Sequence, residues 1–354
     1  MTKRVIHVGV GSFGQRWCSE FLAANIADKT IEVVAVADVN AQAVMRGAKI
    51  LGLSDNRCYT DIAKAFDENA ADFCTVVVPP NHHEAVIDIA LAHGVDVLCE
   101  KPIADTMGGS MRIAQKVKAT GRKMAVTMSH RFDQDKTTLR TIVRSGRLGK
   151  VNTVSCRYFS DMRKHLAWGA LFRHTMDDPL IIEGAVHHLD FVADLAGANC
   201  KTLFASTWKP GWAEYAGDTD GMVMMIFENG VRGIYEGSSS TAVGLNDWYN
   251  EYVRVDGEEG TAILNSREIE VFTRSGLKRQ KSREGKGQKV QLLVQPKWLN
   301  TWLIERFCQW LDGGEPMETR VEANIQASAL IFGAIESQRT GAPIDVQDFV
   351  RRHA

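Results

Sequence analysis

The stretch Val5-Ile6-His7-Val8-Gly9-Val10-Gly11-Ser12-Phe13-Gly14 decides the fold. A short apolar run, suited to a strand buried on both faces, passes directly into a GxGxxG motif, and Phe13–Ile26 follows with helical spacing. Strand, glycine turn and helix in that order give the triplet its meaning. Gly9 permits the tight turn, Gly11 lets a pyrophosphate approach the backbone, and Gly14 allows close helix–strand packing. The helix that opens at Ser12 and Phe13 then turns its free N–H groups to the phosphates. Asp38 ends a second β-branched run, Glu32–Ala37, in the window of a ribose-binding acid. A carboxylate there accepts hydrogen bonds from the adenosine ribose and repels a 2′-phosphate, which favours NAD over NADP. Arg46, further along, keeps NADP open. Asp38 also reads as an N-cap for a helix over Ala41–Leu51.

Working outward, the runs Phe73–Val78, Val95–Cys99 and Lys123–Met128 read as strands, with helical patterns at Glu84–Ala92 and Ser110–Thr120. Alternation of this kind builds a parallel sheet with right-handed crossovers. After about residue 130 the rhythm changes. A helix over Phe132–Ser145 and a strand over Val151–Phe159 precede strands at Gly221–Phe227, Val231–Glu236, Glu251–Val255 and Thr261–Leu264, separated by Gly, Asp and Asn turns. Strand beside strand means a mostly antiparallel sheet with one face free for a partner. Helices over Leu299–Leu311 and Val321–Gln338 close the chain. The expected architecture is α/β: a Rossmann domain with a doubly wound parallel sheet over 1–128, then an α+β domain with a large, open-faced, mostly antiparallel sheet over 129–354.

The 354 residues are 45% hydrophobic and 24% charged, enough apolar material for two cores. A net charge of −1 with scattered Lys and Arg builds no field for nucleic acid. The densest basic stretch, Lys278–Lys289, is broken by Gly and Ser and reads as a solvated loop between strands. Seven cysteines without a CxxC pair argue against a disulfide framework or zinc knuckle and for a reducing compartment. No run approaches the roughly 18–20 apolar residues of a membrane span, and no apolar leader precedes the glycine motif. A cytoplasmic protein is expected, with no membrane or nucleic-acid partner.

Two further segments carry chemistry. Glu100-Lys101-Pro102 closes a strand at the carboxyl edge of the parallel sheet, where ligands of such sheets bind. A lysine there hydrogen-bonds a substrate oxygen and offsets developing negative charge; its bland reading is a surface salt bridge with Glu100. Pro102 holds the Lys101 backbone extended. The second segment, Glu183-Gly184-Ala185-Val186-His187-His188-Leu189-Asp190, opens a helix. Spacing i, i+4 puts Glu183 and His187 on one face, where a carboxylate orients an imidazole and raises its basicity. Asp190 lies within reach of the same face. The alternatives are a capping Glu beside a packed His, or a metal pair, but no acid–cysteine set surrounds the histidines at metal spacing and no metal is expected. Arg163, His165, Trp168, Arg173, His174 and Asp177 are of types that read a polar substrate: Trp stacks on a sugar ring and Arg grips hydroxyls or an anion. Arg173-His174 beside Asp177-Asp178 also reads as a surface ion network.

These motifs in this order resemble the family of glucose–fructose oxidoreductase, inositol dehydrogenase and MocA, over essentially the full chain. Beyond Gly9–Gly14, the resemblance rests on Pro79-Pro80-Asn81 with His83, on Glu100-Lys101-Pro102, on His130-Arg131-Phe132 with Ser145-Gly146 and Leu148-Gly149, on Glu183 with His187, and on the closing helix from Glu322 to Gly341-Ala342-Pro343. It implies reversible oxidation of a secondary hydroxyl on a sugar or cyclitol. It adds Pro79, Asn81, His83 and Glu100 to the cofactor site and Arg131 and His188 to the substrate site, and it implies a homodimer or homotetramer assembled through the C-terminal sheet. His187 takes the hydroxyl proton, Lys101 hydrogen-bonds the same oxygen, and the hydride leaves to nicotinamide C4. Glu183 departs from the family's usual Asp by one methylene. Two other readings stay open: a redox-neutral enzyme that works through a transient keto-sugar on tightly held NAD, and a non-catalytic cofactor sensor.

Overall fold

The computed structural model describes residues 1–273 and 287–354. Most of the basic stretch over 278–289 therefore lies outside the described residues. The chain forms two compact units: residues Met1–Ser129 with Lys297–Ser328 and His353–Ala354, and residues His130–Pro296 with Ala329–Arg352.

The first unit is built on a parallel sheet of β1 (Lys3–Val8), β2 (Ile31–Ala37), β3 (Cys58–Tyr59), β4 (Phe73–Val76), β5 (Asp96–Cys99) and β6 (Met124–Val126), in the order β3-β2-β1-β4-β5-β6. This is the doubly wound order, with its switch point between β1 and β4. Val5, Ile6, Val8, Phe73, Cys74, Val97 and Leu98 are wholly buried, as strands covered on both faces require. β1 stops at Val8 because Gly9 turns to φ +92°, a conformation open to glycine and strained for other residues. The helix that follows, residues 12–27, passes through a π-helical stretch at Trp17–Leu22. Asn40, rather than Asp38, caps Ala41–Leu51: its side chain accepts from the N–H groups of Gln42 and Ala43. The two-residue edge strand β3 and the helix Ile62–Glu68 carry no signal in the sequence pattern.

The sequence reading gave the whole of 129–354 to the second domain, yet Lys297–Ser328 belongs to the first unit. Phe307 on the helix Leu299–Leu311 meets Phe73 edge-on at 5.2 Å, Lys123 Nζ donates to Trp310 O at 2.6 Å, and Val126 N donates to Thr319 O at 2.9 Å. The apolar face of that helix is what covers β4.

The second unit carries a nine-stranded sheet of β7 (Val151–Phe159), β8 (Cys200–Trp208), β9 (Asp220–Phe227), β10 (Arg232–Ser238), β11 (Tyr252–Gly257), β12 (Gly260–Asn265), β13 (Glu268–Thr273), β14 (Gln288–Val290) and β15 (Ile344–Asp345), in the order β14-β13-β12-β11-β7-β10-β9-β8-β15. Among the described residues, only the β7–β10 pair is parallel. Residues alternate strictly: Leu203, Ala205, Val223, Met225 and Tyr235 are buried, while Phe204, Met222, Met224 and Ile234 stand exposed on the opposite face. The register places Phe204 opposite Met224 and Met224 opposite Ile234, so these side chains form one apolar row across β8, β9 and β10.

Candidate active site

In the first unit the glycine motif has the geometry its spacing implies. A Cβ on Gly14 lies 2.0 Å from Gly9 O, and one on Gly9 lies 2.2 Å from Val77 O, so neither position admits a side chain. A Cβ on Gly11 meets nothing within 4 Å, which leaves open space against the backbone. Ser12 and Phe13 begin the helix on the exposed side of the turn. Asp38 Oδ2 accepts from Val10 N at 2.8 Å and Oδ1 from Asn40 N at 2.9 Å. Each oxygen keeps a second lone pair for a ribose hydroxyl. These residues fit a dinucleotide: an open phosphate cradle, a helix N-terminus and an acid at the end of β2.

Lys101 follows β5 on the same carboxyl edge as the glycine turn. Its peptide bond to Pro102 is cis. Glu100 beneath it is buried and accepts from Trp17 Nε1 at 3.0 Å and from the Lys101 backbone N–H at 3.2 Å. Burial pushes the Glu100 carboxyl up, against the opposing pull of Lys101, Thr127 and Trp17. Glu100 is thus an internal brace rather than an arm of a surface pair. His83 has a similar position: its Nδ1 lies 3.0 Å from Pro102 O and its Nε2 2.9 Å from Val78 O. It ties the end of β4 to the turn that carries Lys101, while Pro79 and Asn81 are exposed just before it.

In the second unit, a π-helical turn at Leu180–Ala185 runs into the helix Val186–Ala196 and brings Glu183 and His187 into one buried segment. The Glu183 carboxylate accepts from Arg173 Nε at 2.8 Å. Arg173 Nη1 donates to Trp168 O at 3.3 Å, and the Trp168 ring lies where a Cβ on Gly184 makes a 3.3 Å contact. Trp168, Arg173, Glu183 and Gly184 therefore form one group; Arg173 pairs with Glu183 instead of joining a surface network with Asp177-Asp178. Three other residues from the sequence reading serve internal contacts. Arg131 grips Asp190 through two hydrogen bonds of 2.5 Å, which engage both oxygens of the Asp190 carboxylate. His174 is buried and stacks on Tyr215 at 4.1 Å. His188 sits between Tyr235 OH at 3.3 Å and Glu251 Oε1 at 3.4 Å.

A buried polar cluster that no sequence motif marks lies beside His187. Glu251 Oε1 accepts from His130 Nε2 at 3.1 Å and from Tyr249 N at 3.0 Å, and its Oε2 lies 2.8 Å from Lys136 Nζ. Burial raises the Glu251 carboxyl, but Lys136 and His130 outweigh it and hold it well below the usual range. Burial takes His130 down to about 4 despite Glu251. The His130 ring stacks on His187 at 4.5 Å and 25°, and the Trp248 ring meets both edge-on. His130 entered the sequence reading only as part of a motif, and Lys136 sits in an Asp-Gln-Asp-Lys run that looks like an exposed first helical turn.

Asp178, half-buried ahead of the π-turn, is pushed up to about 6 by burial and by the carboxylates of Asp218 and Asp177. A raised acid costs the fold stability above its folded value, and the cost fades as pH falls towards the ordinary 3.8. Asp178→Asn is expected to raise the melting temperature by roughly 2–4 °C at pH 7.5, with the gain disappearing by about pH 4; an unchanged gain across that range refutes the assignment.

Comparison with known proteins shows the family. Residues 3–128 match the family model described as oxidoreductase family, NAD-binding Rossmann fold, and residues 140–346 match its C-terminal alpha/beta domain. The chain belongs to the glucose–fructose oxidoreductase, inositol dehydrogenase and MocA family of NAD-dependent oxidoreductases, which act on sugar and cyclitol hydroxyls. It is 58% identical to protein y4oX of Sinorhizobium fredii over 100% of this chain and 98% of that one. It is 23% identical to D-apiose dehydrogenase of Rhizobium rhizogenes over 82% of this chain and 84% of the relative. An oxidoreductase from Agrobacterium radiobacter, solved with NAD+, L-tartaric acid and magnesium, shares the fold with a TM-score of 0.83 at 20% identity, covering 99% of this chain and 100% of that one. No helix among the described residues is long and apolar enough to cross a membrane.

Proposed function

We propose that the protein oxidises a secondary hydroxyl of a sugar, sugar derivative or cyclitol to a ketone, with His187 as the base and Lys101 as the hydrogen-bond donor to the reacting oxygen. The observation that carries the reading is the position of Lys101 at the end of β5, on the same sheet edge as the glycine turn after β1. That edge is where a nicotinamide cofactor and its substrate meet in folds of this order. Bound NAD supplies the hydride acceptor. His187 takes the hydroxyl proton as the carbon-bound hydrogen leaves, and the Lys101 ammonium offsets negative charge developing on oxygen. Trp168 offers a ring face to the substrate and Arg173, neutralised by Glu183, offers the free edge of its guanidinium. Arg131, His174 and His188 hold the scaffold around them. Glu183 acts through Arg173 in this reading.

The test is a panel of sugars, sugar acids and inositols with NAD+ and NADP+ in parallel, followed by NADH absorbance. Net NADH from at least one polyol supports the reading. Purified protein that carries NAD yet releases no NADH with any of them points to redox-neutral chemistry instead. Asp38→Asn is expected to weaken NAD binding by roughly 10- to 100-fold, the worth of hydrogen bonds to a charged acceptor. A fluorescence titration that finds unchanged affinity removes Asp38 from the site.

The apolar row Phe204–Met224–Ile234 supports assembly of a homo-oligomer through the open face of the large sheet, since an exposed apolar band of this kind needs a cover. Met224→Lys with Ile234→Lys is expected to shift the protein to monomer in light-scattering chromatography. A wild-type protein that is monomeric at micromolar concentration overturns this.

A further inference from the structure

Glu251 and His130 have no part in the chemistry above, yet they define one wall of it. Glu251 has no exposed side-chain surface and His130 only 2%. One ring nitrogen of His130, one of His188 and a Glu251 oxygen lie within 4.8 Å of one another, a spacing a metal can use. Two features favour a hydrogen-bonded cluster over an ion site. The Lys136 ammonium already stands 2.8 Å from the same carboxylate, and a dication beside it meets repulsion in a low-dielectric interior. His130 Nδ1 is buried with no hydrogen-bond partner among the described residues, whereas a metal-bound histidine donates its second ring N–H to a neighbour. If His130 instead gives its Nε2–H to Glu251, Nδ1 carries only a lone pair, and no buried donor goes unmet.

That choice fixes the ring. With Nε2–H anchored on Glu251, and Glu251 anchored on Lys136 and the Tyr249 N–H, the plane of His130 is set from one side. Tyr249 stacks on it at 5.4 Å and 16°, and His187 stacks at 4.5 Å and 25°. We infer that Glu251 is a positioning residue for His187: through His130 it sets the plane against which the His187 imidazole lies. This rests on the reading of His187 as the base. A base displaced by about 1 Å from its proton loses on the order of 100-fold in rate, so a wall that fixes its plane bears on turnover without touching substrate.

Three proteins separate this role from simple packing: His130→Ala removes the wall, His130→Phe keeps a flat ring without the hydrogen bond, and Lys136→Met with Glu251→Gln removes the buried charges together while keeping their volume. Each is assayed on the best polyol of the panel, with NAD affinity and melting temperature alongside. The His187 ring resonances are followed in histidine-labelled protein and assigned by their loss in His187→Asn. The expected result is a kcat lowered by roughly 100-fold in His130→Ala, recovered to within about tenfold by His130→Phe, and lowered by an intermediate amount in the double variant. KM and NAD affinity are expected to stay near wild type, and the His187 resonances to shift in each variant that loses kcat. Wild-type kcat and unmoved His187 resonances in His130→Ala, or in the double variant that lacks the Glu251 carboxylate, with His187→Ala inactive, overturn the inference and leave the proposed function standing. Stoichiometric bound metal that disappears with His130→Ala also overturns it. If His187→Ala itself is fully active, the functional reading falls and takes the inference with it.

Discussion

Lys101→Ala and His187→Ala are each expected to lose roughly 100- to 10,000-fold in kcat, the contribution of a positioned proton-transfer group, while NAD affinity stays near wild type. The reason lies in what each side chain touches. The phosphate cradle is backbone: the turn at Gly9, the open approach at Gly11 and the helix beginning at Ser12. Neither Lys101 nor His187 supplies any of it. The Lys101 substitution also leaves its braces in place, because Glu100 is anchored on Trp17 and on a backbone N–H, and His83 on carbonyls of the Pro102–Ile103 turn. Lys101→Arg is a sharper form of the same test. It keeps the charge but replaces a compact ammonium with a planar fork, so it is expected to retain substrate binding better than turnover. Full activity in both alanine variants, measured as NADH formation, removes these residues from the chemistry.

The parts of this site legible in the sequence are those whose cause is local. A glycine at φ +92° and another that abuts a carbonyl leave their signature at fixed offsets after an apolar run, so Gly9–Gly14 is readable from ten residues. The alternation of β7 to β13 is readable for the same reason, because a sheet with one covered face imposes period two on its own strand. What was not legible depends on contacts across long separations. Glu183 reads as a partner of His187, and nothing in the spacing marks its further bond from Arg173, ten residues earlier. Lys297–Ser328 reads as part of the second domain until Phe307 covers Phe73. The Glu251–His130 link joins positions 121 residues apart, and no periodicity marks either residue. The helix Val346–His353 spans eight residues with Val346 and Phe349 buried, too short a run to set a period.

Glu251→Ala is expected to be the most destabilising single change in the second unit's polar cluster. It removes the nearest counter-charge of Lys136, whose side chain is only 2% exposed. Asp135 at 3.5 Å and Asp133 at 3.8 Å remain, but Arg267 already claims Asp133 through hydrogen bonds of 2.7 and 2.8 Å. Breaking one partner of a buried pair costs about 3–5 kcal/mol, which lowers the melting temperature by roughly 10 °C in a chain of this size. His130 and His188 also lose their acceptor. Removing both charges is a different experiment: Lys136→Met with Glu251→Gln takes out the pair together and leaves Asp135 with Arg267 at 3.8 Å, so it is expected to recover most of the loss. The pH dependence has a definite sign. Glu251 is held below its ordinary 4.5 in the fold, so its contribution is present above that pH and declines as the carboxyl protonates. The gap between wild type and Glu251→Ala is therefore expected to be widest near neutrality and to narrow below about pH 4.5. A double-mutant cycle that finds Lys136 and Glu251 additive within about 0.5 kcal/mol shows that the two charges are not coupled, and the cluster then owes its stability to the packing of its rings.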